Sequence, residues 1–189
     1  MTDTISHFGE ALAYEDYLPL SLQPQRFVPD PAFFVGLNDK NEEILQNILV
    51  LEKHHSDFPE DDADRTTIEL SHIDLKLNLL LDLMVQVYSK ELDIPPETAV
   101  SLRPSRMHWR SEQVQQQGEY LLVNLYLSRR FPRPLSLFGQ VSSVEAHEQS
   151  GFRITLALDH ISEPVLDLLE RFIFLKHRRM VASTRREKT

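Results

Sequence analysis

The stretch from Glu69 to Leu102, "ELSHIDLKLNLLLDLMVQVYSKELDIPPETAVSL", changes its hydrophobic period partway along. Before the Pro95–Pro96 pair, apolar residues recur every three or four positions, as on a helix; after it they alternate, as on a strand. Proline lacks the amide hydrogen a helix interior needs and its ring clashes with the preceding turn, so the pair ends the helix. A long helix that gives way to β structure places the chain in the α+β class.

The helix itself is unusually apolar. Thr66 and Glu69 have the S/T-x-x-E spacing of a capping box, which predicts a start near Thr67. At about 100° per residue, Leu70, Ile73, Leu77, Leu80, Met84 and Val87 fall on one heptad-like stripe, and Ile68, Leu75, Leu79 and Leu83 on a second. A helix buried on several sides by its own fold would explain both stripes. So would a helix that docks one stripe on its own protomer and offers the other to a partner. Length favours the partner, because about 27 residues at 1.5 Å each span about 40 Å, more than a domain of this size covers. The expectation is a coiled-coil-like helix that self-associates through the heptad stripe.

Beyond the prolines, "AVSL", "RMHW", "EYLLVNLYL", "LSLFGQVSSVEA" and "GFRITLAL" read as strands separated by the turn signals "QQQGE", "FPRP" and "EQSG". Five short strands at hairpin spacing predict a small antiparallel barrel. Ser162 then caps a last helix, whose Val165, Leu168, Leu169, Phe172 and Ile173 would lie on the barrel. Upstream, Pro19, Pro24, Pro29 and Pro31 forbid a long helix and favour extended segments lying over the core, with Leu18, Leu20 and Leu22 alternating as in a short strand. Asn38 or Asp39 is expected to cap a helix running to about His55. The chain therefore divides into an extended N-terminal segment (1–37), a helical oligomerisation region (38–94) and a barrel with its C-terminal helix (95–189).

Composition removes much chemistry. With no cysteine there is no disulfide, zinc–thiolate site, iron–sulfur cluster or thiol nucleophile. The net charge of −9 argues against nucleic-acid binding, although six basic residues against one acid between Lys176 and Thr189 make a small basic island. No uncharged apolar run approaches the ~18 residues of a membrane span, and "MTDTISHFGE" has neither the basic start nor the apolar core of a signal peptide, so a cytoplasmic location is expected. No P-loop, G-x-G-x-x-G, G-x-S-x-G or H-E-x-x-H pattern occurs. His54, His55 and His72 are the best metal candidates, but adjacent helical histidines point about 100° apart, and no metal is expected. The carboxylates of "EDDAD" fall in a loop rather than the dry, shaped site that separates catalytic pKa values, so no enzyme and no resident cofactor are expected.

One segment invites a ligand: "SLRPSRMHWR", Ser101 to Arg110, at the start of the barrel. Arg103, Arg106 and Arg110 are guanidinium groups of the kind that grip phosphate bidentately and stack on purine faces. On a strand Arg106 and Arg110 would share a face and Arg103 would not. Trp109 would either add stacking or fill the core.

The order of elements and three strings resemble the PilZ domain, in its atypical branch where long helices precede the barrel. The strings are "YLPLSL" (Tyr17–Leu22), the leucine-rich helix leading through "PPETAVSL" into "RPSRMHWR", and "HISEPVLDLLERFIFLKHRR" (His160–Arg179). PilZ domains bind cyclic di-GMP through R-x-x-x-R followed by D/N-x-S-x-x-G. "RPSRMH" aligns with the second motif: Ser105 matches its serine, Arg103 stands in place of the acid and His108 in place of the glycine. Arg106 and Arg110 have R-x-x-x-R spacing, but within or after the second motif rather than ahead of it. The resemblance thus implies cyclic di-GMP as a possible ligand at Arg103, Ser105, Arg106 and Arg110, and the departures from the pattern imply weak or deficient binding. It further implies a homotetramer held by helices such as the one that carries Leu70 to Val87, and a non-enzymatic bacterial signalling protein with a protein partner. Two other readings stay open: a working cyclic di-GMP receptor that adds the Lys176–Arg179 cluster to the arginines, and a small-barrel enzyme acting on a nucleotide.

Overall fold

A computed structural model describes residues 12–53, 65–88, 93–146 and 151–186. In chain order these form β1 (Tyr14–Gln25), α1 (Pro31–Lys53), α2 (Arg65–Tyr88), β2 (Glu97–Leu102), β3 (Arg106–Ser111), β4 (Tyr120–Leu125), β5 (Leu135–Ala146), β6 (Phe152–Leu158) and α3 (Glu163–Arg186). The strands close into a barrel in the order β1-β2-β3-β6-β5-β4, every neighbouring pair antiparallel. The α+β class, the small antiparallel barrel and the C-terminal helix are as the sequence reads.

The barrel has six strands where the sequence predicts five. The sixth is "YEDYLPLSLQPQ", which was expected to lie over the domain and instead closes it. Tyr14 to Pro19 pair with Leu102 to Glu97 of β2, and Leu20 to Gln25 pair with Leu125 to Tyr120 of β4. Pro24 is tolerated because its half of the strand pairs on one side only. The Pro19 carbonyl accepts from Tyr126 N, so odd-numbered residues of β1 aim their backbone groups toward β4 and Pro24 aims its missing N–H away from it.

A second difference lies in α1. It starts at Pro31 rather than Asn38, with Asp30 Oδ1 accepting from Phe33 N at 2.8 Å as an N-cap. Pro31 suits the first helical position, where its missing N–H would have had no partner in any case. Asn38 lies inside the helix, where its amide donates to Phe34 O and His160 O and accepts from Ser162 N, joining α1 to the start of α3. One turn on, the buried Asn41 holds β5 by both edges of its amide: Nδ2 donates to Ser136 O (2.7 Å) and Oδ1 accepts from Ser136 N (3.0 Å). Of residues 38–94, α1 therefore belongs with the barrel, against α3 and β5.

The core follows from alternation. Val100, Leu102, Met107, Trp109, Leu121, Val123, Leu125, Leu137, Ile154 and Leu156 point into the barrel. Ile44, Leu45, Ile48 and Leu49 of α1 and Val165, Leu169, Phe172 and Ile173 of α3 complete it, with Leu168 half-buried at its edge. Ser162 O accepts from Leu166 N, the first turn of α3, as a cap does. Gly139 lets β5 run close to β6: a Cβ there would lie 2.2 Å from Ala157 O.

Candidate functional site

The expected ligand residues gather around the β2–β3 hairpin. Arg103 occupies the turn, which its N–H closes on Arg106 O at 2.9 Å. Ser105 is exposed, and its carbonyl accepts from Leu158 N, fixing the hairpin tip to the end of β6. On β3 the inward positions are Met107 and Trp109, so Arg106, His108 and Arg110 all face outward. Trp109 fills the core rather than offering a stacking surface.

The outer face is extended by strands the sequence did not connect to it. Antiparallel register puts Glu15, Ser101, His108 and Thr155 in one cross-strand row, and Arg110 directly opposite Arg153 of β6 in the next. Glu15, Ser101, His108, Arg110 and Arg153, together with Asp16, Tyr17 and Ala99, line a shallow groove of about 560 Å³. Ser101 Oγ donates to Glu15 Oε1 at 3.4 Å. Two arginines directly across a ladder repel, an arrangement that weakens a sheet unless it meets an opposite charge. One is supplied by Glu145, opposite Arg153 on its other side.

His108 registers the resulting field. Its pKa is lowered first by burial and then by Arg153 and Arg103, with a smaller contribution from Arg106, while Glu15 acts in the opposite sense. Arg103, although off the strand, therefore acts on the same site as Arg106 and Arg153. The sequence reading missed Arg153 and Glu15. The alternation of Phe152, Ile154 and Leu156 already sets Arg153 facing outward, but nothing local says which strand lies beside it.

The basic island is partly used inside the fold. Lys176 Nζ donates to Glu52 Oε1 at 2.8 Å, and Arg179 donates to both the carboxylate and the carbonyl of Glu52, so a carboxylate of α1 is held by two cations of α3. Burial lowers the Lys176 pKa, against a raising influence from Asp16. Among the described residues no group of three His, Asp or Glu side chains could hold a metal ion. His54 and His55 lie outside those residues, as does the side chain of His72.

On α2, the heptad stripe Leu70, Ile73, Leu77, Leu80, Met84 and Val87 is exposed along its length, and so are Leu75, Leu79 and Leu83 of the second stripe. Their exposures run from 49% at Leu83 to 69% at Met84, so neither stripe is buried within its own protomer. The side chain of Ile68 is outside the described ones. Asn78 and Leu81 meet the body, lining with Val50, Leu51 and Phe131 a cavity of about 220 Å³. Among the described residues no helix is long and apolar enough to cross a membrane.

A pathogenic protein from Xanthomonas campestris, described as a tetrameric PilZ domain self-assembled via an unusual helical bundle, has the same fold. It is 20% identical, with a TM-score of 0.68 over 96% of this chain and 93% of that one. The Bacillus subtilis inhibitor of motility aligns over 46% of this chain and 42% of its own, at 18% identity and a TM-score of 0.37. No curated protein matches the sequence. A family model described as "atypical PilZ domain, cyclic di-GMP receptor" matches residues 45–186, and over that span the chain belongs to the atypical PilZ family.

Proposed function

We propose that the protein is a non-enzymatic scaffold of bacterial signalling, a homotetramer in which α2 joins the copies and the barrels are held in fixed array for a protein partner. The observation that carries this reading is the exposure of both apolar stripes of α2 within one protomer. Singly scattered exposed apolar residues are ordinary on a protein surface, whereas a contiguous apolar helix face marks an interaction surface. Two stripes on one helix suit a bundle of more than two strands. A fixed array raises the effective concentration of each barrel and lets weak contacts combine. The helical-bundle tetramer of the Xanthomonas campestris protein supports the same assembly here.

For the barrel we infer weak or deficient binding of cyclic di-GMP. His108 adds a Cβ and a half-buried imidazole where the PilZ motif has glycine for close backbone approach, and Arg103 replaces an acceptor with a cation. A second reading, a working cyclic di-GMP receptor, draws on the family's description and on the charge that Arg103, Arg106 and Arg153 bring to His108.

Light scattering on Leu77→Asp with Leu80→Asp tests the assembly: the mass is expected to fall to that of one chain, because unpaired carboxylates in an apolar interface cost several kcal/mol each. A tetramer that survives the double change would remove this stripe from the interface. Calorimetric titration of cyclic di-GMP into the intact assembly decides between the two barrel readings. Micromolar or tighter binding that is lost in Arg106→Ala and Arg110→Ala would establish the receptor.

A further inference from the structure

A groove of about 500 Å³ on the other side of β1 is built differently from the arginine face. It runs between the first half of β1, the chain that leaves β4 after Leu125, and α3. The two chains part at Pro19, whose carbonyl takes the last rung from Tyr126 N at 3.1 Å. Residues 15 and 17 are in phase with residue 19, so their backbone N–H and C=O groups point into the groove while the even positions pair with β2. Tyr17 N accordingly finds no strand: it donates to Asp16 Oδ1 at 2.8 Å. Asp16 also accepts from the Tyr14 hydroxyl at 2.6 Å, so a single side chain blunts this edge.

The walls add charge. Arg129, Arg130, Lys176 and Arg179 line the groove against the carboxylates of Asp16 and Glu52. Arg129 also reaches Glu97 at the rim. Although Lys176 and Arg179 already hold Glu52, four cations against two carboxylates give the lining an excess of positive charge on a chain whose net charge is −9.

We propose that this groove takes an extended acidic peptide from a partner protein, which pairs by backbone hydrogen bonds with the free edge of β1 and sets its carboxylates against Arg129, Arg130, Lys176 and Arg179. Strand addition to an open edge draws affinity from the main chain and selectivity from the walls. From Tyr14 to Leu18 no strand pairs with β1 on the groove side, which leaves about 17 Å of edge, enough for a peptide of about five residues. Asp16 gives up its bond to Tyr17 N when the strand enters and remains paired with the Tyr14 hydroxyl.

The test uses fluorescence polarisation with the full chain and a dye-labelled library of pentapeptides that alternate glutamate with β-branched residues. Saturable binding is expected, at least tenfold weaker on going from low to moderate salt and lost in Arg129→Glu with Arg130→Glu. Arg110→Gln, in the other groove, should bind as the wild type does. Tyr17→Pro removes one groove-facing N–H without touching the β2 ladder and is expected to abolish binding while the thermal midpoint stays within a few degrees. N-methylation of the peptide amides should abolish binding in one alternate phase and spare it in the other. Equal loss in both phases, or no saturable binding by any library member, would overturn the proposal. So would a fall in assembly mass on Tyr17→Pro, which would assign the edge to a second copy.

Discussion

His108 is half-buried beside Arg153, Arg103 and Arg106, and burial and these cations together favour its neutral imidazole. An unfolded histidine titrates near 6.5, so the unfolded chain takes the proton first as the pH falls. The stability contributed by neutral His108 is therefore complete above about 6.5 and is lost as the pH falls through the lower folded value. His108→Gln is expected to flatten that part of the pH profile of the thermal midpoint, leaving the wild type's relative loss visible as the pH falls below about 6.5. In an NMR titration the His108 ring should show a midpoint below 6.5 that rises in Arg153→Gln. A midpoint unmoved by that change would mean Arg153 does not face the imidazole. Arg106 and Arg110 on one face were legible from period-two alternation alone. The inclusion of Arg153 and Glu15 was not, because cross-strand neighbours are set by register between segments more than 40 residues apart, and a sequence carries no local sign of it.

Helices and strands were readable wherever their hydrophobic period was unbroken, and misread where proline intervened. β2 to β6 and α3 follow their alternation and spacing closely. β1 and the first two turns of α1 contain Pro19, Pro24, Pro31 and an early cap; Pro24 and Pro31 sit where a missing N–H has no partner to lose, while Pro19 ends the ladder to the β4 side with only its carbonyl bonded. The attachment of α1 to the barrel rests on a polar contact that composition does not announce. Asn41, only 3% exposed, satisfies both backbone groups of Ser136 at the start of β5. Asn41→Ala would leave a buried N–H and C=O unpaired, which costs about 2 kcal/mol. Urea unfolding should show a lower midpoint with an unchanged slope. Gly139→Ala tests the other close contact, between β5 and β6. Its Cβ would meet a backbone oxygen rather than a movable side chain, and a loss of about 1–3 kcal/mol is expected in the same measurement.

At the scale of the whole molecule, two bodies of structure rest on different sources of stability. The barrel with α1 and α3 buries its apolar residues within one chain, whereas α2 leaves both stripes exposed and, on the proposed assembly, gains their burial only from other copies. A helix of 24 residues without burial is marginal in water, so α2 should melt separately and at a temperature that rises with protein concentration. Trp109, the one tryptophan in the sequence and 2% exposed in the barrel, reports on the other part. Thermal unfolding over about a hundredfold range of concentration is then expected to separate the probes. Circular dichroism should show an early, concentration-dependent loss of helix, and tryptophan fluorescence a later transition at fixed temperature. In Leu77→Asp with Leu80→Asp the early transition should disappear and the later one remain. If both probes instead moved together with concentration, the barrel itself would depend on assembly, and the division between a folded barrel and a joining helix would fail.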